Sequence, residues 1–273
     1  MENILSKKQV NDFRDEGYLI VPEFFDQSLI EKIHRVAVKD QVISKNSFDL
    51  DDQSGRKTRL ALWYNLGDDI YSRLTKWRKM VDAANLLLDE QGLICHFQSK
   101  LMQKEPEVGG AWEWHQDYGY WYKHGFLYPN QMLSAMIAIT EANKENGCLQ
   151  VIKGSHKIGR VDHGITGEQT GADSKFVEFA LKNHKLEFVD LKPGDVVFFH
   201  SNILHKSEAN LSQKSRWSLI SVYNRQSNDA LIDHYPSATN PVEVIPEIPI
   251  SSINELNLLQ ENSVDFLRKD KIS

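Results

Sequence analysis

LKPGDVVFFHSNILHKSEANLSQKSRWSLISVYN, residues 191–224, is the stretch that decides how the chain folds. Pro193, Gly194 and Asp195 supply a turn, and VVFF (196–199) is apolar at every position, as expected of a strand buried on both faces. RWSLISVYN (216–224) reads as a second strand. Between them stand two histidines, His200 and His205.

Upstream, LICHFQSKLMQ (93–103), QMLSAMIAIT (131–140), CLQVIKG (148–154) and KLEFVDL (185–191) are further short strand-like runs separated by Gly, Pro, Asn and Asp. Short strands with turn residues between them argue for an antiparallel sandwich or jelly roll, not for alternating βαβ units. Residues before Gly92 have a different character. Ser6 can cap a helix over 6–16 that Gly17 ends, YLIVPEFF (18–25) reads as a short strand, and Asp26 opens a helix with Leu29, Ile30, Ile33, Val36 and Ala37 on one face. Residues 43–58 read as a polar, irregular, mobile loop, and one helical pattern covers 68–90. PSATNPVEVIPEIPI (236–250) should be extended along the sheet edge, and 252–269 should close the chain as a helix.

The expected architecture is therefore mainly β with N-terminal helices, a double-stranded β-helix of the jelly-roll, cupin-like kind. It is expected as one domain over 1–273, with a helix-rich layer over 1–91, a jelly-roll core over 92–225 and a closing segment over 226–273.

A hydrophobic fraction of 41% and a charged fraction of 26% fit an ordinary globular chain with mass for a core. A formal charge of −6 offers no basic field for a phosphate backbone, so no nucleic-acid partner is expected. No run approaches a membrane span, and MENILSKKQVNDF lacks the apolar core of a signal peptide. Cys95 and Cys148 form no CxxC pair, which fits a reducing cytoplasm. Gly-rich phosphate loops, GxGxxG, HExxH and GxSxG are missing, which removes support for nucleotide, hydride-transfer and serine-hydrolase chemistry.

WEWHQDYGYWY (112–122) carries the chemistry. Read as a strand, it sends His115 and Asp117 to one face and Gln116 to the other. Alone, such a pair is an ordinary hydrogen-bonded His/Asp. With either His200 or His205 it makes two imidazoles and one carboxylate, the set that leaves three adjacent positions free on a non-haem Fe(II) ion. Arg216 on the next strand offers a planar fork for a carboxylate.

With these pieces in order, the chain resembles the phytanoyl-CoA dioxygenase family of Fe(II)/2-oxoglutarate-dependent oxygenases, which includes an ectoine hydroxylase-like branch. The resemblance runs from about Gly17 to Tyr223. It rests on GYLIVPEFF, HQD at 115–117, ENGCLQVIKGSHK at 145–157, PGDVVFFHSNILHKS at 193–207, and Arg216 eleven residues after His205. It implies Fe(II) held by His115, Asp117 and His205, leaving His200 outside the set, and 2-oxoglutarate anchored by Arg216 with Ser207 sharing the same carboxylate.

Gln98 is placed near the iron by the same likeness, and Trp121 and Ser134 beside the substrate; the aromatic cluster itself offers Tyr120, Trp121 or Tyr122 to line the mouth and hold a small cationic substrate by their ring faces. HQDYGYW departs from the ectoine hydroxylase-like pattern, which counts against ectoine itself. The aromatic cluster over 112–128 is otherwise read as packing. Some family members have Gly or Ala in place of the carboxylate and halogenate; with Asp117 present, hydroxylation with O2 and release of succinate and CO2 is implied. Loops over 118–130 and 158–175 are expected to close over a small polar metabolite of the amino acid, betaine or phosphonate type. The alternatives are an acyl-CoA hydroxylase of the same mechanism and a non-catalytic jelly-roll binding protein.

Overall fold

The computed structural model describes residues 4–89, 91–166, 168–232, 236–247, 260 and 264–267. Ser6 and Gln9 form a reciprocal capping box at the start of α1 (Lys7–Glu16), and Gly17 ends it at φ 82°. No other residue suits Gly17: the turn is left-handed, and a Cβ there would lie 2.3 Å from the His156 ring. β1 (Tyr18–Val21) follows, and Asp26 caps α2 (Gln27–Lys39) through the amides of Ser28 and Leu29.

The expected mobile loop over 43–58 is largely ordered instead. It contains the end of α3 (Gln41–Asn46), β2 (Phe48–Asp51) and the start of β3 (Lys57–Trp63). Its polar residues misled because β2 is an edge strand and the turn between β2 and β3 is built on the Asp52 carboxylate, which accepts from the amides of Ser54, Arg56 and Ala111. The helix expected over 68–90 is two helices, α4 (Ile70–Lys76) and α5 (Arg78–Leu87). They break at Trp77, whose backbone is extended at ψ 130° while its ring packs on Phe25.

The remaining elements are β4 (Ile94–Lys104), β5 (Trp112–His115), α6 (Asp117–Trp121), β6 (Met132–Ala138), β7 (Leu149–Ile152), β8 (His163–Thr166), β9 (Gln169–Ala172), α7 (Ser174–Asn183), β10 (Leu186–Val189), β11 (Val196–His200), β12 (His205–Ser207) and β13 (Arg216–Arg225). Seven strands form one antiparallel sheet in the order β1-β11-β6-β13-β4-β3-β2, and four form a smaller one in the order β10-β7-β12-β5. This is the expected jelly roll.

Alternation along the strands builds both sides of the large sheet. Val196 and Phe198 of β11, Leu133 and Ala135 of β6 and Leu219 of β13 face the helices, packing on Phe25, Ile30, Ile33, Leu74 and Met80. Val197 and Phe199, Met132 and Met136, and Ile220 and Val222 face inward with Leu149, Val151 and Val189 of the small sheet. VVFF is apolar throughout because each of its faces is covered by a different layer.

The segment expected to be extended over 236–250 begins instead as a short 3-10 helix, Pro236–Thr239; beyond it Pro241 bridges Cys95 beyond the reach of β3, Ile245 bridges Trp77 between the two helices, and 248–250 lie outside the described residues. Most of the helix expected over 252–269 lies outside the described residues. Within 264–267 the chain is not helical; Phe266 bridges Trp63 of β3. No helix among the described residues is long and apolar enough to cross a membrane.

Candidate metal centre

His115, Asp117 and His205 come together at the mouth between the two sheets, all buried, with their ligand-type atoms within 4.8 Å of one another. β5 and β12 are paired neighbours, and His115 stands directly opposite His205. Asp117 arrives by a route the sequence did not suggest. The strand stops at His115, and Asp117 is the first residue of α6, so a turn and not strand alternation carries the carboxylate to the histidines. His200 ends β11 elsewhere, with Nε2 on Asn130 Oδ1 and Nδ1 accepting from the amide of Asn202.

Each donor is prepared by a neighbour. His115 Nδ1 lies 2.7 Å from the Glu113 carbonyl and His205 Nδ1 lies 3.0 Å from the Ile203 carbonyl. A carbonyl only accepts, so both rings carry their proton on Nδ1 and present a bare Nε2 lone pair. Ser134 Oγ donates to Asp117 Oδ2 at 2.6 Å, leaving Oδ1 toward the histidines. Nε2 of His115 and of His205 lie 3.7 Å and 3.9 Å from that oxygen. These gaps are too long for hydrogen bonds but suit one ion touching all three atoms at about 2 Å.

Gln116 secures the surrounding segments. Its amide donates to the carbonyls of Gly159 and Asn202 and accepts from the amide of Val161. Its own backbone N–H donates to His163 Nε2, and the His163 ring lies so close to Gly119 that a Cβ there would be 2.2 Å away.

Burial holds both triad imidazoles below their ordinary pKa, with each other's charge adding at His115, and burial drives His96 and His200 down to about 3. An unfolded imidazole takes its proton near pH 6.5, so below that pH the unfolded chain binds more protons than the folded one. Stability is therefore full above about pH 6.5 and is lost as pH falls toward the depressed folded values. The melting temperature of metal-free protein should be level from about pH 8 to 6.5 and decline steadily to about pH 4. A profile flat across that whole range would refute these protonation states.

Two cavities meet at the triad and share Lys100, Trp112 and His115. The outer one, about 460 Å³, has an apolar side with Leu50, Leu60 and Leu62 and a polar side with Gln98, Asp117, Tyr120 and Thr170. Trp121 lines it while packing edge-on against Phe97, and the Tyr120 hydroxyl donates to the Thr170 carbonyl. Ile165, Glu168, Gln169 and Thr170 close one side, so the expected loop over 158–175 includes the β8–β9 hairpin. Ser134, expected beside the substrate, is fully buried and holds the Asp117 carboxylate.

The inner cavity is narrow and runs between the sheets past Met102, Met136 and Phe199 to Ser207, Arg216 and Ser218. Arg216 donates through Nη1 to the Gly147 carbonyl, whereas its Nε is buried with no hydrogen-bond partner among the described residues, as is Ser218 Oγ. Two unanswered polar groups at the closed end of a cavity call for an acceptor from outside the chain. Behind them lies Lys104, fully buried, which sequence reasoning missed. Its only signal was strand alternation, since Gln98, Lys100, Met102 and Lys104 fall on one face of β4.

Comparison with known proteins yields the following. The family model described as phytanoyl-CoA dioxygenase matches residues 13–218. An ectoine dioxygenase from Halomonas elongata is 24% identical over 252 residues, 87% of this chain and 75% of that protein. An L-proline trans-4-hydroxylase from Streptomyces griseoviridis is 28% identical over 204 residues, 68% of this chain and 74% of that protein. Among solved structures, EctD from S. alaskensis with 2-oxoglutarate and 5-hydroxyectoine superposes with a TM-score of 0.72 at 22% identity, covering 91% of this chain and 90% of that one.

Proposed function

This chain belongs to the phytanoyl-CoA dioxygenase family of Fe(II)/2-oxoglutarate-dependent dioxygenases, and we propose that it holds iron through His115, Asp117 and His205 and hydroxylates a C–H bond of a small polar metabolite. The observation that carries this reading is the pairing of a three-donor site with an unanswered cationic fork at the far end of a connected cavity.

The residues fit both absent groups. Two bare imidazole nitrogens and one carboxylate oxygen suit Fe(II) and leave three adjacent positions for other ligands. Arg216 Nε, Ser207 and Ser218 fit the carboxylate at the far end of 2-oxoglutarate, which a guanidinium edge pairs in two places. When bound, iron and 2-oxoglutarate supply the oxidising power, one oxygen atom of O2 entering the C–H bond as the cosubstrate leaves as succinate and CO2.

The chain's own work is placement. Glu113 and Ile203 fix the tautomers of the two histidines, and Ser134 fixes which carboxylate oxygen faces them. Leu50, Leu60 and Leu62 receive the hydrocarbon part of the substrate, while Gln98, Tyr120 and Thr170 face its polar groups. Substrate class here follows the substrates named for two relatives, ectoine and L-proline, with amino acids, betaines and phosphonates as the set to screen. An acyl-CoA would need several basic residues at the cavity mouth for its phosphates, and beside the triad the described lining residues include Lys100 and His124 as basic groups. Cys95 and Cys148 are buried and unpaired, which supports a cytoplasmic location.

The test is an anaerobic titration of metal-free protein with Fe(II) and then 2-oxoglutarate, followed by the visible charge-transfer band of a metal-chelated 2-oxo acid. The band should appear at one equivalent of cosubstrate per iron. Demonstrated metal binding with no band would remove the cosubstrate, and with it this function.

A further inference from the structure

VDFL (264–267) runs beside β3 and adds a residue to the wall of the outer cavity. β2 pairs with β3 from Lys57 to Leu60. Past that point the edge of β3 is taken by this segment. The Leu267 amide donates to the Leu62 carbonyl at 2.8 Å, the Tyr64 amide donates to the Asp265 carbonyl at 3.2 Å, and Phe266 bridges Trp63 in antiparallel register. Asn65 adds a side-chain hydrogen bond to the Asp265 carboxylate.

Alternation then fixes where each side chain goes. Val264 and Phe266 enter the core beneath the helices, the Phe266 ring centroid lying 6.1 Å from a ring centroid of Trp63. Leu267 stands opposite Leu62 and turns the other way, packing with the apolar residues between the sheets. A slip of one residue would exchange the two faces, so Val264 and Phe266 hold the register that aims Leu267 inward. Leu267 thereby joins Leu50, Leu60 and Leu62 on the apolar side of the cavity that also contains Asp117 and Gln98. The other three leucines belong to β2 and β3; only Leu267 is brought there by a separate segment of the chain.

Resting on the substrate reading above, we propose that Leu267 is a specificity-determining residue: it closes part of the apolar side of the outer cavity and limits the length of hydrocarbon that can lie there while a C–H bond is presented to the triad. Each substrate methylene that finds apolar contact strengthens binding by about fourfold, whereas one that meets a filled wall gains nothing and must push packed atoms aside. Shortening the side chain at 267 therefore favours longer substrates, and enlarging it favours shorter ones.

The experiment titrates the anaerobic Fe(II)/2-oxoglutarate protein with L-2-aminobutyrate, L-norvaline and L-norleucine, which differ by one methylene each, and follows the emission of Trp112 and Trp121, which line the same cavity. Leu267→Ala should raise the affinity for L-norleucine relative to L-2-aminobutyrate by at least about fourfold, and Leu267→Phe should lower the same ratio by a similar factor. The charge-transfer band should form in both variants as in the wild type. Should Leu267→Ala fail to fold, Leu267→Val shortens the side chain less and should move the ratio in the same direction. A ratio that stays put, or that moves the same way in both variants, overturns the proposal. So does an equal loss for all three amino acids, which is what loosening of the segment alone would give. A wild type that binds none of them removes the amino acid class, and the proposal is then decided without a substrate. Leu267→Cys, in a chain whose own Cys95 and Cys148 are buried, is modified with methyl, propyl and hexyl methanethiosulfonates. Tails of growing length should fill the cavity and shift the Trp112 and Trp121 emission stepwise to shorter wavelength; emission independent of tail length would place residue 267 outside the cavity and overturn the proposal. A wild-type protein that forms no band with 2-oxoglutarate is a separate failure, that of the cosubstrate site, and leaves the modified Leu267→Cys series to decide.

Discussion

His205→Ala should abolish Fe(II) binding and 2-oxoglutarate turnover while the apoprotein keeps its fold. His205 is one of only two nitrogen donors in the triad, and its Nε2 is aimed at the space it shares with His115 and the Asp117 carboxylate. Loss of a group that merely orients a ligand costs about 10- to 100-fold in metal affinity, so loss of a ligand should exceed that range. Among the described residues the ring's one hydrogen bond runs from Nδ1 to the Ile203 carbonyl, so its removal should move the melting temperature of the metal-free protein by only a few degrees, as expected for about 1 kcal/mol. Equilibrium dialysis against Fe(II) with a parallel thermal melt separates the two effects. Wild-type metal affinity in the variant would exclude His205 as a ligand, and His200, bonded to Asn130 in the short 3-10 helix before β6, could not replace it without moving β11.

Arg216→Ala should act on a different quantity. With its Nε unpaired among the described residues and Nη1 spent on Gly147, the guanidinium has capacity for one carboxylate. Truncating one member of a buried, hydrogen-bonded charge pair costs about 2–5 kcal/mol, or roughly thirtyfold and upward in 2-oxoglutarate affinity. Fe(II) affinity should hold, since Arg216 belongs to the far end of the inner cavity and not to the triad. The apoprotein should lose little stability, because the substitution also removes a like charge facing Lys104. A cosubstrate titration in which Arg216→Ala matches the wild type would place the anchor elsewhere.

Much of this could be read from the chain itself, and the failures have physical causes. Ser6 and Gly17 bound α1 as their capping chemistry requires, and VVFF announced a two-sided strand. The set of His115, Asp117 and His205 was legible as a family likeness, whereas spacing alone left His200 and His205 open. The turn between His115 and Asp117 was not legible: DYGYW has weak helix formers and strong strand formers, and α6 exists because Gln116 is fastened on three sides. Lys104 was missed because a lysine on a strand is ordinarily assumed to reach solvent. Ser134 was noticed for the wrong neighbour, since only the folded chain shows its hydroxyl beneath Asp117.

β4 is also a ruler. From Gln98 at the outer cavity to Lys104 at the closed end is six residues of extended backbone, roughly 20 Å at the usual rise of a strand. Hydrogen bonds to β13 along its whole length and to β3 over its second half keep that span from stretching. The triad and Arg216 lie on other elements, but the same rule holds on β12: His205 and Ser207 are two residues apart, roughly 7 Å, so main-chain geometry fixes how far the proposed carboxylate site stands from the triad. Loops at the mouth can change while that strand spacing stays untouched.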